Sequence, residues 1–327
     1  MSVPKTYTLQ AKSQIELEIS TLGATILSLK VPNKRGELVN VVVGLSSASD
    51  YLTKDYLKHG LYLGSTIGRH AGRISGGGIE IEGKKYPIYN ENGVHLHGGK
   101  EGFDKKTWQV ESVESGDEPS ITLSYMSAHL EEGYPGNLKI SVTYSLTYDD
   151  ALKISYSATT DQTTVLNVTN HAYFNLNGES SILDHELELK ADAYLELDDD
   201  LLPTGKYNLL KGTHYDFGDR SVIGKAGFNG LDDIFVLTKG KGKAILSSTK
   251  SGIQMKVDTN QPAMVIYTPP EFGKLPFKDA AVFSAFPAIC FEAQGFPDAL
   301  NNSHFPQTLL KPGETFKSET SFKFSNI

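Results

Sequence analysis

The stretch Leu138-Lys-Ile-Ser-Val-Thr-Tyr-Ser-Leu-Thr-Tyr148 leads into Asp149-Asp150 and returns through Ala151-Leu-Lys-Ile-Ser-Tyr-Ser-Ala158. Apolar and polar side chains alternate with period two on both sides of a short acidic turn, and β-branched and aromatic residues fill many of the apolar positions. The pattern predicts an antiparallel hairpin in which each strand turns one face to a core. The same alternation recurs outward along the chain, over Ile15–Ile19, Thr25–Val31, Ile79–Tyr89 and Ile121–Tyr125. A second hairpin is predicted from Ile234–Leu237 and Ala244–Ser247, joined by the glycine-bearing turn Thr238–Lys243. Only Ala48–Lys58 reads as a helix, and it is short. Strands in this number, without the alternating helices of a parallel sheet, predict an all-β sandwich or barrel.

At ~150 residues per domain, a chain of 327 residues starts from a prior of about two domains. All-β folds commonly run past ~200 residues as one unit. The 31 Gly and 14 Pro are spread as turn punctuation with no linker-like concentration, and no internal repeat appears. Residues 1–327 are therefore expected to form a single domain. A hydrophobic content of 39%, with 16 Tyr and 15 Phe, excludes a disordered or collagenous chain. The net charge of -8 argues against a general affinity for phosphate backbones or anionic membranes, so neither nucleic acid nor membrane is expected as a partner. The single Cys290 leaves no intrachain disulfide and no Cys-rich metal site, and Met1–Lys12 has no apolar signal region. Together with the lack of any run near the ~18 apolar residues of a membrane span, this makes a cytoplasmic location the expectation. The sequons Asn167-Val-Thr169 and Asn301-Asn-Ser303 then read as chance matches.

Four polar segments set ionisable or amide groups beside glycines and aromatics. In Gly64-Ser-Thr-Ile-Gly-Arg-His-Ala-Gly-Arg-Ile-Ser-Gly-Gly-Gly78, neither a P-loop Gly-Lys-Ser/Thr nor a following amphipathic helix is present, which disfavours a nucleotide site. Arg69 and Arg73, taken alone, each read as a surface or structural arginine. In Val94-His-Leu-His-Gly-Gly99, His95 and His97 share a face if the segment is extended. With Glu101 they resemble a fragment of the cupin metal motif, yet the surrounding glycine spacing and a second histidine box are missing. Local hydrogen bonding is the simpler reading, and no metal is expected. In Asn167-Val-Thr-Asn-His171-Ala-Tyr-Phe-Asn175-Leu176, amides suited to orienting an imidazole accompany rings that can stack on the apolar faces of sugars. That composition fits a carbohydrate cleft, although the segment alone reads as a buried histidine tied into a turn. In Ile289-Cys-Phe-Glu292-Ala-Gln294-Gly-Phe-Pro-Asp298, Glu292 sits inside an apolar strand, where burial raises a carboxyl pKa. It is a candidate general base, with a structural ion pair as the competing role. Cys290 shares its strand face and reads as a small buried hydrophobe.

In this order the segments resemble the aldose 1-epimerase (galactose mutarotase) family. The likeness runs from Leu22-Gly-Ala24 to Leu310-Lys-Pro-Gly-Glu314. It is carried by Ile67-Gly-Arg-His-Ala-Gly-Arg-Ile74, Leu96-His-Gly-Gly99 with Gly102-Phe-Asp104, Asn170-His-Ala-Tyr-Phe-Asn-Leu176, Gly230-Leu-Asp232, and Phe291-Glu-Ala-Gln294 with Phe296-Pro-Asp298. The resemblance implies a galactose mutarotase-like supersandwich, a large antiparallel β-sandwich with a sugar cleft across one sheet. It implies an isomerase that interconverts the anomers of free hexoses such as galactose and glucose with no cofactor, as a monomer or homodimer. Position by position, it makes Glu292 the general base and His171 the general acid. Arg73 and His97 hold the sugar and its ring or anomeric oxygen, while Asp232 and Gln261, the latter in Thr259-Asn-Gln-Pro262, bind hydroxyls. A histidine with an ordinary pKa of ~6.5 needs nearby negative charge to be imidazolium at neutral pH, and Glu292 is expected to supply it. Two departures stand out: Gly72 where many members carry Asn, and Asp233 where relatives often have His. Three rival functions remain, one of them a metal-dependent cupin-like enzyme. A hexose 6-phosphate enzyme calls for more clustered Arg and Lys than these segments offer, and a silent sugar-binding sandwich would lack the acid or the base.

Overall fold

The computed structural model describes residues 3–327. The hairpin forms as strands Leu138–Leu146 and Ala151–Thr160, with Leu138 opposite Thr160 and Leu146 opposite Leu152. Along the first strand every second residue, from Leu138 to Leu146, is buried. Tyr148 does not end the strand as expected. It sits in a Thr147–Asp150 turn, 82% exposed, because Asp150 takes a left-handed φ of 65° and the Thr147 hydroxyl oxygen accepts the Ala151 N–H.

Two large antiparallel sheets organise the chain. The first has nine strands in the order Gln109–Glu114, Ser120–Ser127, Leu138–Leu146, Ala151–Thr160, Phe316–Asn326, Ile253–Thr259, Ala244–Ser248, Glu186–Leu189 and Ser221–Val222. The second has six, in the order Tyr173–Phe174, Ile289–Gln294, Ala263–Tyr267, Asp232–Leu237, Ala191–Leu197 and Pro203–Leu209. A four-stranded sheet over Thr6–Asn40 adds to the same core. The main cluster joins Ile140, Val142 and Tyr144 of the nine-stranded sheet to Phe235, Met264, Ile266 and Phe291 of the six-stranded one, with Leu17 and Ile19 from the third. This is the sandwich arrangement, in which interdigitated apolar faces supply most of the burial.

The second predicted hairpin does not form. Asp232–Leu237 pairs within the six-stranded sheet and Ala244–Ser248 within the nine-stranded one, so residues 238–243 carry the chain from one sheet to the other. Lys190 makes the same crossing beside it: the Thr238 N–H donates to Lys190 O, and the Lys190 N–H to Lys243 O. A third crossing, residues 260–262, packs alongside, where the Leu237 N–H donates to Pro262 O. Glycine-rich turns between alternating segments look identical whether the strands pair or part, and only the partners across the sheets decide.

Ile79–Tyr89 likewise divides, into strands Gly78–Ile81 and Lys84–Pro87 around a turn in which Glu82 and Gly83 both have positive φ. The expected helix over Ala48–Lys58 shrinks to a 3-10 turn, Asp50–Leu52, and a single helical turn, Lys54–Leu57. Thr53 separates them with an extended ψ of 145° and caps the second through its side chain, which accepts the Tyr56 N–H. No helix among the described residues is long and apolar enough to cross a membrane.

Candidate active site

The six-stranded sheet has two differently used faces. Ile289, Phe291 and Ala293 join the main core, so Cys290, Glu292 and Gln294 must point the other way. That outer face is also covered, and all six residues of Ile289–Gln294 are buried. Above it lies a cleft of about 150 Å³. Glu292, Gln294, Asp232, Val265 and Tyr267 come from the sheet, while Tyr62, Arg73, His97, His171 and Tyr173 close it from the covering segments and the sheet edge. Leu197, Leu201 and Ile234 make one wall apolar.

His171 is fixed from several sides. Its backbone N–H donates to Ser65 O at 2.9 Å, and its carbonyl accepts the Gly64 N–H at 2.9 Å. The imidazole lies against the rings of Tyr173 and Tyr62, with centroids 5.0 and 5.9 Å away in stacked geometry. Nε2 stands 3.4 Å from Glu292 Oε1, and Nδ1 stands 3.6 Å from Cys290 Sγ. The neighbouring amides do not orient the ring as expected. Asn167 donates to Ala71 O and accepts the Gly295 N–H, Asn170 donates to Gly64 O, and Asn175 donates to Glu179 O and Pro287 O.

Burial raises the Glu292 pKa to about 8, reinforced by the Asp232 carboxylate and opposed by Arg73. Burial lowers His171 to about 4. At neutral pH the pair therefore holds one proton, and it rests on the carboxyl. This reverses the expected carboxylate and imidazolium. At 3% and 4% exposure neither charge has water around it, and a pair of ions there loses more solvation than a single contact restores.

His95 and His97 do not share a face. His97 has a φ of 49°, which ends the extended run, and its ring meets His171 edge-on with centroids 5.5 Å apart. Its Nδ1 accepts the Gly72 N–H at 3.2 Å, so the neutral ring carries its proton on Nε2 and is a donor there. Burial, with His171 and Arg73 nearby, keeps His97 neutral, its pKa well below the usual value. His95 is instead held between Tyr89 O and the Tyr134 hydroxyl.

The two arginines also part. Arg69 is buried and donates to Ser127 Oγ, Ser127 O, Ala128 O and Pro135 O, which makes it a structural post. Arg73 reaches the cleft, with Nη2 3.9 Å from Asp232 Oδ2. Between them Gly72 has a φ of 78°, and a Cβ there would meet the Pro297 side chain at 2.7 Å, so in this chain a side chain at the position would require Pro297 to shift. Asp232 lines the cleft; Asp233 falls on the other face of the strand and its carboxylate accepts the Asp232 N–H.

The structure thus brings together Glu292, His171, Arg73, His97 and Asp232. Gln261 is not among them. It belongs to the 260–262 crossing at the sheet corner, where its amide donates to Asn260 Oδ1 and the Asn260 N–H donates to Glu319 O. In its place Val265, opposite Glu292 in the sheet, faces the cleft. Tyr62 was missed because Gly60-Leu-Tyr-Leu-Gly64 carries no motif. Gln294 was missed although its spacing from Glu292 puts it on the same strand face. Among the described residues, one group of donors could hold a metal ion: His97, His171 and Glu292, with one ligand atom each and all within 4.8 Å of one another.

The sequence profile of the aldose 1-epimerase family matches residues 5–323. Galactose mutarotase from Sus scrofa is 39% identical over 323 residues, spanning 95% of this chain and 92% of the relative. Aldose 1-epimerase from Escherichia coli K12 is 32% identical over 333 residues, spanning 97% and 94%. Among solved structures, the aldose epimerase homologue from C. elegans superposes with a TM-score of 0.91 at 30% identity, covering 99% of this chain and 100% of that one. Galactose 1-epimerase from Lactobacillus acidophilus gives 0.85 at 27% identity, covering 100% and 99%. With the profile matching nearly end to end, the chain belongs to the aldose 1-epimerase family.

Proposed function

We propose that the cleft interconverts the α and β anomers of free aldohexoses such as galactose and glucose by opening and reclosing the sugar ring. The observation that carries this reading is the Glu292–His171 pair, 3.4 Å apart and buried in the floor of the cleft. Opening requires the C1 hydroxyl to lose a proton, the ring oxygen to gain one, and the bond between C1 and the ring oxygen to break. Glu292 as carboxylate accepts the first proton and His171 as imidazolium gives the second. The pair ends as carboxylic acid and neutral imidazole beside the aldehyde.

That end state is the proton distribution burial favours. The resting pair therefore matches the open-chain sugar, and the cyclic sugar draws the proton across from Glu292 to His171 as it docks. The C1 hydroxyl then donates to the carboxylate and the ring oxygen accepts from the imidazolium, which replaces part of the solvation the cleft withholds. Arg73 and the Nε2–H of His97 add donors where oxygen charge develops. Asp232 accepts from sugar hydroxyls, and the rings of Tyr62 and Tyr267 offer apolar surface for the sugar faces. Rotation about the C1–C2 bond presents the other aldehyde face, and the two transfers run in reverse. The proposal includes a single sandwich domain, supported by a core cluster that draws on residues from Leu9 to Phe324, and a cytoplasmic location, supported by the composition.

Polarimetry on freshly dissolved sugar tests it. The parent protein should speed anomer exchange of galactose and glucose, and folded Glu292→Gln and His171→Asn proteins should each lose ~10²- to 10⁴-fold. A near-parent rate in either variant removes that residue from the mechanism. Turnover confined to glucose 6-phosphate would replace the free-sugar reading.

A further inference from the structure

Gln294 is 0% exposed, and both polar atoms of its side chain, Oε1 and Nε2, lack a protein hydrogen-bond partner. No other described residue leaves two buried side-chain polar atoms unpaired. A buried amide with neither group satisfied costs the fold free energy, so a protein that keeps one at a functional site has a use for it. The amide is placed where that use is plain. Gln294 lies two residues after Glu292 on the same strand face and lines the same cleft. Beside it Gly72 has no side chain to intervene; a Cβ built there would stand 3.5 Å from Nε2. Glu292 and His171 are also deep in the floor, at 3% and 4% exposure, and Gln294 continues that floor.

We infer that Gln294 is a substrate-binding and specificity-determining residue: its amide hydrogen-bonds a sugar hydroxyl other than the anomeric one while Glu292 engages C1. This inference rests on the anomer-exchange reading of the cleft. An amide offers both a donor and an acceptor, so it can pair with a hydroxyl in either direction and replace two missing partners with one ligand group. It also means that an aldose without that hydroxyl leaves the amide unpaired in the bound state, which is how polar sites reject the deoxy analogue.

The test compares the parent with Gln294→Met, which keeps the length of the side chain and removes its hydrogen bonding. Anomer exchange by the parent on galactose comes first, and its absence would remove the functional reading rather than the role of Gln294. Given an active parent, Gln294→Met should be at least as resistant to heat as the parent, because an unsatisfied amide is gone. It should nonetheless lose about tenfold in kcat/KM on galactose. On the 2-, 3-, 4- and 6-deoxygalactoses taken in turn, one sugar should show little difference between parent and variant, and that sugar identifies the hydroxyl. Three results would overturn the assignment: unchanged kcat/KM on galactose, an equal loss on every deoxy sugar, or a marked drop in thermal stability accompanying the loss, which would make the amide a structural group.

Discussion

Replacing Glu292 with Gln should stabilise the protein in alkaline solution, and the size of the effect follows from its burial. The carboxyl is 3% exposed and its pKa rises from 4.5 to about 8. Between those values the folded protein holds a proton that the unfolded chain has released. The stability this group contributes is therefore fully present below the lower value and is lost as pH rises through the upper one. Linkage sets the slope at about 1.4 kcal/mol per pH unit, and the whole window is worth on the order of 5 kcal/mol. That is comparable to the lower end of the ~5–15 kcal/mol stability of a typical domain. Gln cannot ionise, so Glu292→Gln escapes the loss. His171 acts with the opposite sign in a lower window: its pKa falls from 6.5 to about 4, so stability gained from it rises with pH between those values. Both proteins share that term, and it largely cancels in the difference. Urea unfolding at steps from pH 5 to pH 9 measures the result. The advantage of the variant should grow steadily up to about pH 8 and then level off. An advantage that stays constant across the range would refute the raised pKa and, with it, the single proton held by the pair.

The same proton sets the rate profile. Activity should hold across a plateau between about 4 and about 8, falling below it as the pair gains a second proton and above it as the pair loses its only one, with both limbs belonging to the pair. Asp232→Asn should move the alkaline limb to lower pH, since the Asp232 carboxylate is one of the causes holding the Glu292 proton in place; a limb that stays put would show no coupling between them. Cys290 is fully buried and its thiol pKa is pushed well above 9.0. Iodoacetamide should leave it unmodified in the native protein with or without sugar, as judged by intact mass, and ready alkylation without sugar would mean the thiol opens to the cleft. Finally, dialysis against EDTA should leave anomer exchange unchanged; loss on chelation with recovery on adding a divalent transition metal would assign His97, His171 and Glu292 to metal binding instead.

Period-two alternation made strands such as Leu138–Leu146 and Ala151–Thr160 of the nine-stranded sheet legible, because one face of each is in the core and the other is more exposed. Sheet membership was not legible, since a crossing such as residues 238–243 is decided by Lys190 and Pro262, neither of which is local to it. The cleft strand Ile289–Gln294 was legible only by its oddity. Both of its faces are covered, so no alternation separates core from site, and a carboxylate and an amide remained among apolar residues as the only mark of the functional face. Gln261 falls outside the cleft because it sits in the crossing at the sheet corner, while the sheet register sets Val265 opposite Glu292.

Several polar residues in and beside the matching segments do not face the cleft; they fasten together the pieces that do. Arg73 and Glu292 lie far apart in sequence, on a short covering strand and a central sheet strand, and no continuous sheet joins them. Asp298 spans the gap: its N–H donates to Arg73 O, and its carboxylate accepts from the Ser75 N–H and hydroxyl. Asn167 makes a second tie, donating to Ala71 O and accepting the Gly295 N–H, and so links the residues just before Arg73 to those just after Gln294. Gly98 allows a third, because a Cβ there would fall 1.8 Å from Gly68 O, and only glycine lets the His97 turn pack against the arginine segment. Errors of about 1 Å in placement cost reactions of this kind orders of magnitude. A site assembled from loops and strand ends needs fasteners as well as chemical groups. Those ties are why a pattern of amides, glycines and an aspartate, scattered over the chain, marks the site along with the acid and the base.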